Sequence, residues 1–132
     1  MSDVDDIREM VRELNRRWVS GAMNLEAFFH PEMIMAVPGR PDRLAGRELC
    51  VRSYQDFTKM ARIHSFDLDE PQVDVIGDIA VATCPFVIDY EIESGRWRGS
   101  GSDVLVLGRT DEGWEIVWRT MNSDPEEQVV DD

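Results

Sequence analysis

The stretch Arg96–Met121, RWRGSGSDVLVLGRTDEGWEIVWRTM, constrains the fold of this chain more than any other part. Two runs of alternating apolar residues flank Thr110-Asp111-Glu112-Gly113, so the segment reads as a long strand, a tight hairpin and a final strand. Strand side chains alternate faces with a period of two, which puts Asp103 on the same face as Leu105 and Leu107. A carboxyl group on an apolar sheet face is costly unless it is paired or hydrogen-bonded. Asp103 therefore asks for a partner or a purpose.

The residues ahead of this hairpin change periodicity. Ile7, Met10, Val11, Leu14 and Trp18 recur at helical spacing behind Ser2, a natural N-cap, and Gly21 closes that helix. A short second helix is expected over Leu25–Phe29, between Asn24 and Pro31, followed by a strand over Met33–Val37 that stops at Pro38-Gly39. A third helix runs from Arg47 to Ala61 and buries Cys50, Val51, Tyr54, Phe57 and Thr58. Strands then follow at Ile63–Leu68, Val73–Ile76 and Ile79–Ile92, the last containing Pro85 and therefore a bulge or an edge. Helices first and a strand meander afterwards predict an α+β domain with helices on one face of a curved antiparallel sheet. Gly99 and Gly101 suit a kink in that sheet.

At 132 residues the chain supports one core. Its formal charge of −13 argues against nucleic acid and anionic membranes as partners, since both call for a basic face. Acidic residues concentrate at the ends: Asp3, Asp5 and Asp6, then Asp124, Glu126, Glu127, Asp131 and Asp132. Read as solvated, they divide the chain into a domain over 1–123 and an acidic tail over 124–132. Cys50 and Cys84 are too few for a disulfide scaffold or zinc site and read as buried free thiols. With no apolar leader and no bilayer-length apolar run, a soluble cytoplasmic protein is expected.

In this order of elements the chain resembles the nuclear transport factor 2-like superfamily, in its SnoaL-like and ketosteroid-isomerase-like branch. The resemblance spans about Ile7 to Asn122 and rests on four segments: NLEAFF from Asn24, MIMAVPG from Met33, LAGRE from Leu44, and the hairpin Ser102-Asp103-Val104 through Trp114-Glu115-Ile116-Val117-Trp118-Arg119. It implies a cone-shaped, strongly curved antiparallel sheet with three N-terminal helices enclosing a pocket, the cystatin-like fold, and a homodimer formed through sheet faces. Steroid isomerases of this fold hold an Asp general base just before the Pro-Gly after the first strand. Val37 stands there, which argues against ketosteroid isomerase activity itself. Asp103 matches their oxyanion-donating Asp, and their Tyr donor falls near Trp18, whose indole N–H would serve instead.

The candidate site follows from these positions. Asp103 has three readings: an ion pair with Arg119, nearly opposite it when counted back from the hairpin turn; a lone buried carboxyl acting as acid or hydrogen-bond donor; or a solvated strand end. His64 is the candidate base, against the alternative of a rim histidine. Trp18, Met35, Val37, Tyr54, Phe57 and Trp118, with Arg119, would form the ligand-binding wall. No cofactor or metal is called for, because the two histidines lack a carboxylate cluster. The resemblance leaves two readings of function. One is a pocket for a small apolar or cyclic metabolite, with cofactor-independent isomerisation, cyclisation or dehydration as its chemistry. The other is a non-catalytic homodimeric binding or assembly module.

Overall fold

The first helix is built as its sequence pattern dictates. In a computed structural model that describes residues 2–21 and 24–130, α1 spans Asp3–Val19. The Ser2 hydroxyl accepts the Asp5 backbone N–H, Asp3, Asp5 and Asp6 occupy the first turn, and Arg16 and Arg17 the last. Each placement complements the helix dipole. Ile7, Val11, Leu14 and Trp18 form a buried stripe, and each such burial stabilises the fold by about 1.5–3 kcal/mol.

The expected second helix is corrected to a single 3₁₀ turn, Glu26–Phe28. Phe29 already has extended backbone, and Pro31 two residues on cannot continue a helix, so strand β1 (Phe29–Ala36) starts earlier than Met33. Among the described residues the domain thus has two α-helices, not three. The loop before the second of them holds a short strand, β2 (Arg43–Ala45), and α2 then runs over Arg47–Met60. Strands β3 (Arg62–Leu68), β4 (Gln72–Ile76), β5 (Ile79–Ile92), β6 (Gly95–Thr110) and β7 (Gly113–Ser123) follow, and β8 (Glu127–Gln128) is the last.

The strands form one sheet in the order β2-β1-β7-β6-β5-β3, with β4 also on β5 and β8 also on β6. All pairs are antiparallel except β1 with β7, which is parallel, so the sheet is mixed. Pro85 is tolerated inside β5 because it falls in a gap, after the β4 ladder ends at Thr83 and before the β3 ladder begins at Phe86. The inner face of β5 and β6 carries Ala80, Ala82, Cys84, Leu105 and Leu107, all buried in one core with the α1 stripe. Cys50 and Cys84 are both free and buried.

The acidic end is not a free tail over the described residues. β8 lies antiparallel to β6 at Trp97 and Arg98, Asp124 N–H donates to the Ser100 carbonyl, and Val129 N–H to that of Arg96. Asp131 and Asp132 lie outside the described residues.

Gly101 permits the close crossing of β6 and β7. A methyl group there would run into the Asn122 backbone carbonyl oxygen, whereas one at Gly99 would meet only the side-chain end of Glu126, at 3.2 Å. Gly101→Ala is expected to lose about 1–3 kcal/mol of stability by overpacking, and Gly99→Ala distinctly less. Chemical denaturation of the two variants beside the unmodified protein measures both.

Candidate functional site

A β-bulge decides which way the site's one buried cation points. From the turn at Thr110–Gly113 the β6–β7 register runs evenly to Leu107 opposite Ile116, then shifts, so that Val106 lies opposite Trp118 and Leu105 opposite Arg119. Val117 is the extra residue. It turns Arg119 onto the inner face and leaves Trp118 on the outer one. Asp103 faces Met121, so Arg119 is its diagonal neighbour and not the residue across from it.

The two side chains meet inside the cone. Arg119 Nη2 lies 3.5 Å from Asp103 Oδ2, with the Arg119 side chain 6% exposed and that of Asp103 13%. The guanidinium carbon sits 4.4 Å from the centre of the Tyr54 ring, and its nitrogens contact the sulfurs of Met35 and Met121. Burial works against the Arg119 cation, but Tyr54, Asp103 and Cys50 around it outweigh that and set its pKa above the ordinary arginine value. Two atoms of the pair, Asp103 Oδ1 and Arg119 Nε, are buried without a hydrogen-bond partner among the described residues. Unsatisfied buried groups of this kind are rare in a plain structural ion pair.

The pair opens onto a cavity of about 190 Å³. Trp18, Tyr54, Phe57, Phe66, Phe86 and Tyr90 supply its aromatic wall, with rings 5.2–6.1 Å apart where Trp18 meets Tyr54, Phe57 and Phe66. Burial pushes the Tyr54 hydroxyl above its usual pKa, so it is neutral at ordinary pH. The same holds for Tyr90, where burial and the hydrogen bond to Glu126 act together. The Cys50 thiol is likewise pushed up by burial, and that of Cys84 to about 12.

Of the residues expected at the site, Asp103, Arg119, Trp18, Met35, Tyr54 and Phe57 line this cavity together. Three do not. His64 sits where the β3–β5 register shifts between Ile63 and Ser65, and its Nε2 contacts Glu91 Oε1 at 3.1 Å, away from the cavity. Trp118 lies on the outer face, with its N–H donated to Thr120 and Arg43 stacked on its ring. Val37 lies past the end of β1 against the edge of the core. Trp18 is corrected in role: its N–H is donated to Asn15 Oδ1 at 2.8 Å, while Asn15 Nδ2 donates to the Val11 carbonyl. It offers the cavity a ring face and no free donor.

Several lining residues carried a signal in the sequence. Phe86, Ile88 and Tyr90 are the inward positions of the β5 alternation, and Phe66 is one strand over. Glu126 carried none, because a residue within an acidic run looks solvated. Asp89, on the outer face, is held by two bonds from Arg96, whose hydrogen bond and charge lower its pKa.

The family model of the SnoaL-like domain matches residues 7–120 of the chain. The protein belongs to the SnoaL-like family. Solved structures share the fold of this SnoaL-like chain. A candidate scytalone dehydratase from Novosphingobium aromaticivorans is 13% identical, with 100% of this chain and 94% of that one covered at a TM-score of 0.80. An NTF2-like protein from Cytophaga hutchinsonii is also 13% identical, covering 94% and 100% at 0.76. The CaMKII hub of S. rosetta is 19% identical, covering 89% and 94% at 0.72. At these identities the likeness is one of fold. Among curated proteins, none matches the chain in sequence.

Two outcomes are expected from this geometry. Asp103→Asn and Arg119→Met should each destabilise the domain, the second by about 3–5 kcal/mol because it strands a buried carboxyl group. The double variant should cost less than the sum by about 1–3 kcal/mol, as a double-mutant cycle in urea would show. Both thiols should resist a thiol-specific reagent in the native protein and react once it is unfolded. Because burial raises the folded-state pKa of Cys84 to about 12 from the 9.0 of an ordinary thiol, its contribution to stability is intact below pH 9.0 and falls away as pH rises toward 12.

Proposed function

We propose that this SnoaL-like protein binds a compact apolar or cyclic small molecule inside the cone. The observation that carries the reading is the buried Asp103–Arg119 pair, opening onto an aromatic cavity with one oxygen and one nitrogen left without partners. A protein that used the pair only to hold its sheet together would gain from satisfying those atoms or replacing both residues with apolar ones. The ring faces of Trp18, Phe57 and Phe86 supply apolar contact, and Asp103 supplies the group that orients the guest or exchanges a proton with it. Binding is the core of this proposal, and isomerisation, cyclisation or dehydration would be added chemistry. Val37 stands where the related steroid isomerases keep their base, and His64 lies outside the cavity.

The outer face of the sheet supports self-association as the second part of the reading. Ile34, Val81, Val87, Val104, Val106 and Trp118 are all partly exposed there, on four adjacent strands whose helices pack on the opposite side. An apolar sheet face without helices suits a second copy of the same face.

Calorimetric titration with 2-naphthol is expected to saturate, and Ser53→Phe, which fills the cavity from α2, is expected to abolish the heat while the variant stays folded. Absence of saturation with the unmodified protein would sink the pocket reading. Sedimentation velocity tests the other half: Val106→Glu should convert a dimer to a monomer with an unchanged circular dichroism spectrum.

A further inference from the structure

The cavity wall is finished by a residue beyond the stretch that the family model covers. Residues 7–120 match that model, yet Met121, Ser123 and Glu126 also line the cavity. Glu126 arrives there because β8 extends the sheet along β6, past the end of β7. Its Oε2 accepts the Tyr90 hydroxyl, and its Oε1 stands 3.2 Å from where a side chain at Gly99 would begin. The tyrosine aims the carboxylate and the glycine leaves room for it.

The charges in the cavity are unevenly committed. Arg119 is stacked on Tyr54, paired with Asp103 and contacted by two methionine sulfurs, so its positive charge is spent within the protein. The charge of Asp103 is balanced by Arg119, so what it offers a guest is the unpartnered Oδ1 of a compensated carboxylate. Glu126 is different, since a neutral tyrosine hydroxyl directs it but does not balance its charge. It stands at the exposed rim of a cavity whose wall also carries ring faces, and such faces attract cations. We propose that Glu126 is a specificity-determining residue of the cavity, receiving a cationic nitrogen on a compact aromatic or cyclic guest and turning away anionic guests of the same shape. This rests on the cavity being a binding site, and it adds the charge class of the guest.

The test uses three probes with one ring and different heads: 2-phenylethylamine, 2-phenylethanol and phenylacetate. Each is titrated by NMR, following the indole N–H of Trp18, whose ring lines the cavity. The unmodified protein should prefer the amine over phenylacetate by about tenfold or more, as a charge-assisted contact warrants. Glu126→Gln should bring amine and alcohol to nearly equal affinity while leaving the alcohol unchanged. Glu127→Gln removes the same charge from the next residue, which does not line the cavity, and should leave the preference intact. If Glu126→Gln keeps the preference, or Glu127→Gln removes it equally, the assignment to Glu126 fails while the pocket stands. If none of the three probes moves the Trp18 signal, the pocket reading fails and this one with it.

Discussion

The extra residue in β7 governs the interior of this domain. If β6 and β7 stayed in the register set at their turn, Arg119 would stand across from Val104 and point outward, away from Asp103. The bulge at Val117 reverses that. Once Arg119 is inside, its flat guanidinium needs a surface and a counter-charge. Tyr54 from α2 supplies the first and Asp103 from β6 the second. The seating of α2 against the sheet and the polarity of the cavity floor therefore follow from one added residue.

That arrangement sacrifices some stability. A buried ion pair at 3.5 Å with two unsatisfied atoms holds the fold less firmly than a leucine and a methionine in the same volume would. The rest of the inner face does pack in that apolar way, with Leu105, Leu107 and Ile116 in one core with the α1 stripe. The contrast divides the cone into a closed half, which stabilises it, and an open half that keeps polar groups and ring faces available.

Much of the first half was legible in the sequence, and less of the second. The helical stripe from Ile7 to Trp18, the limits of β5 and the inward position of Asp103 follow from periodicity, which reports burial directly. The bulge did not show, because Val117 fits an apolar alternation in either register. The 3₁₀ turn at Glu26–Phe28 competes with a short helix of the same composition, and what decides between them is β1, which already begins at Phe29 and takes in Pro31. The Trp18 N–H looked available because Asn15, on the same helix face, reads as an ordinary polar residue until its buried bonds are seen. Glu126 was hidden in plain charge, and only the pairing of β8 with β6 brings it to the cavity.

The parallel pairing of β1 with β7 has a consequence for how the chain is made. Phe29 must find Ile116, and Met35 must find Arg119, across most of the polypeptide. During synthesis β1 emerges with Phe29, Met33 and Met35 bare, and its lasting neighbour β7 follows only after α2 and β3 to β6 have been made. The later hairpins close locally and quickly, but this seam waits on them, which makes its formation the slow, high-contact-order event of folding. Until then β1 is an unguarded edge, and crowding by other nascent chains is the hazard against which this architecture has to be protected.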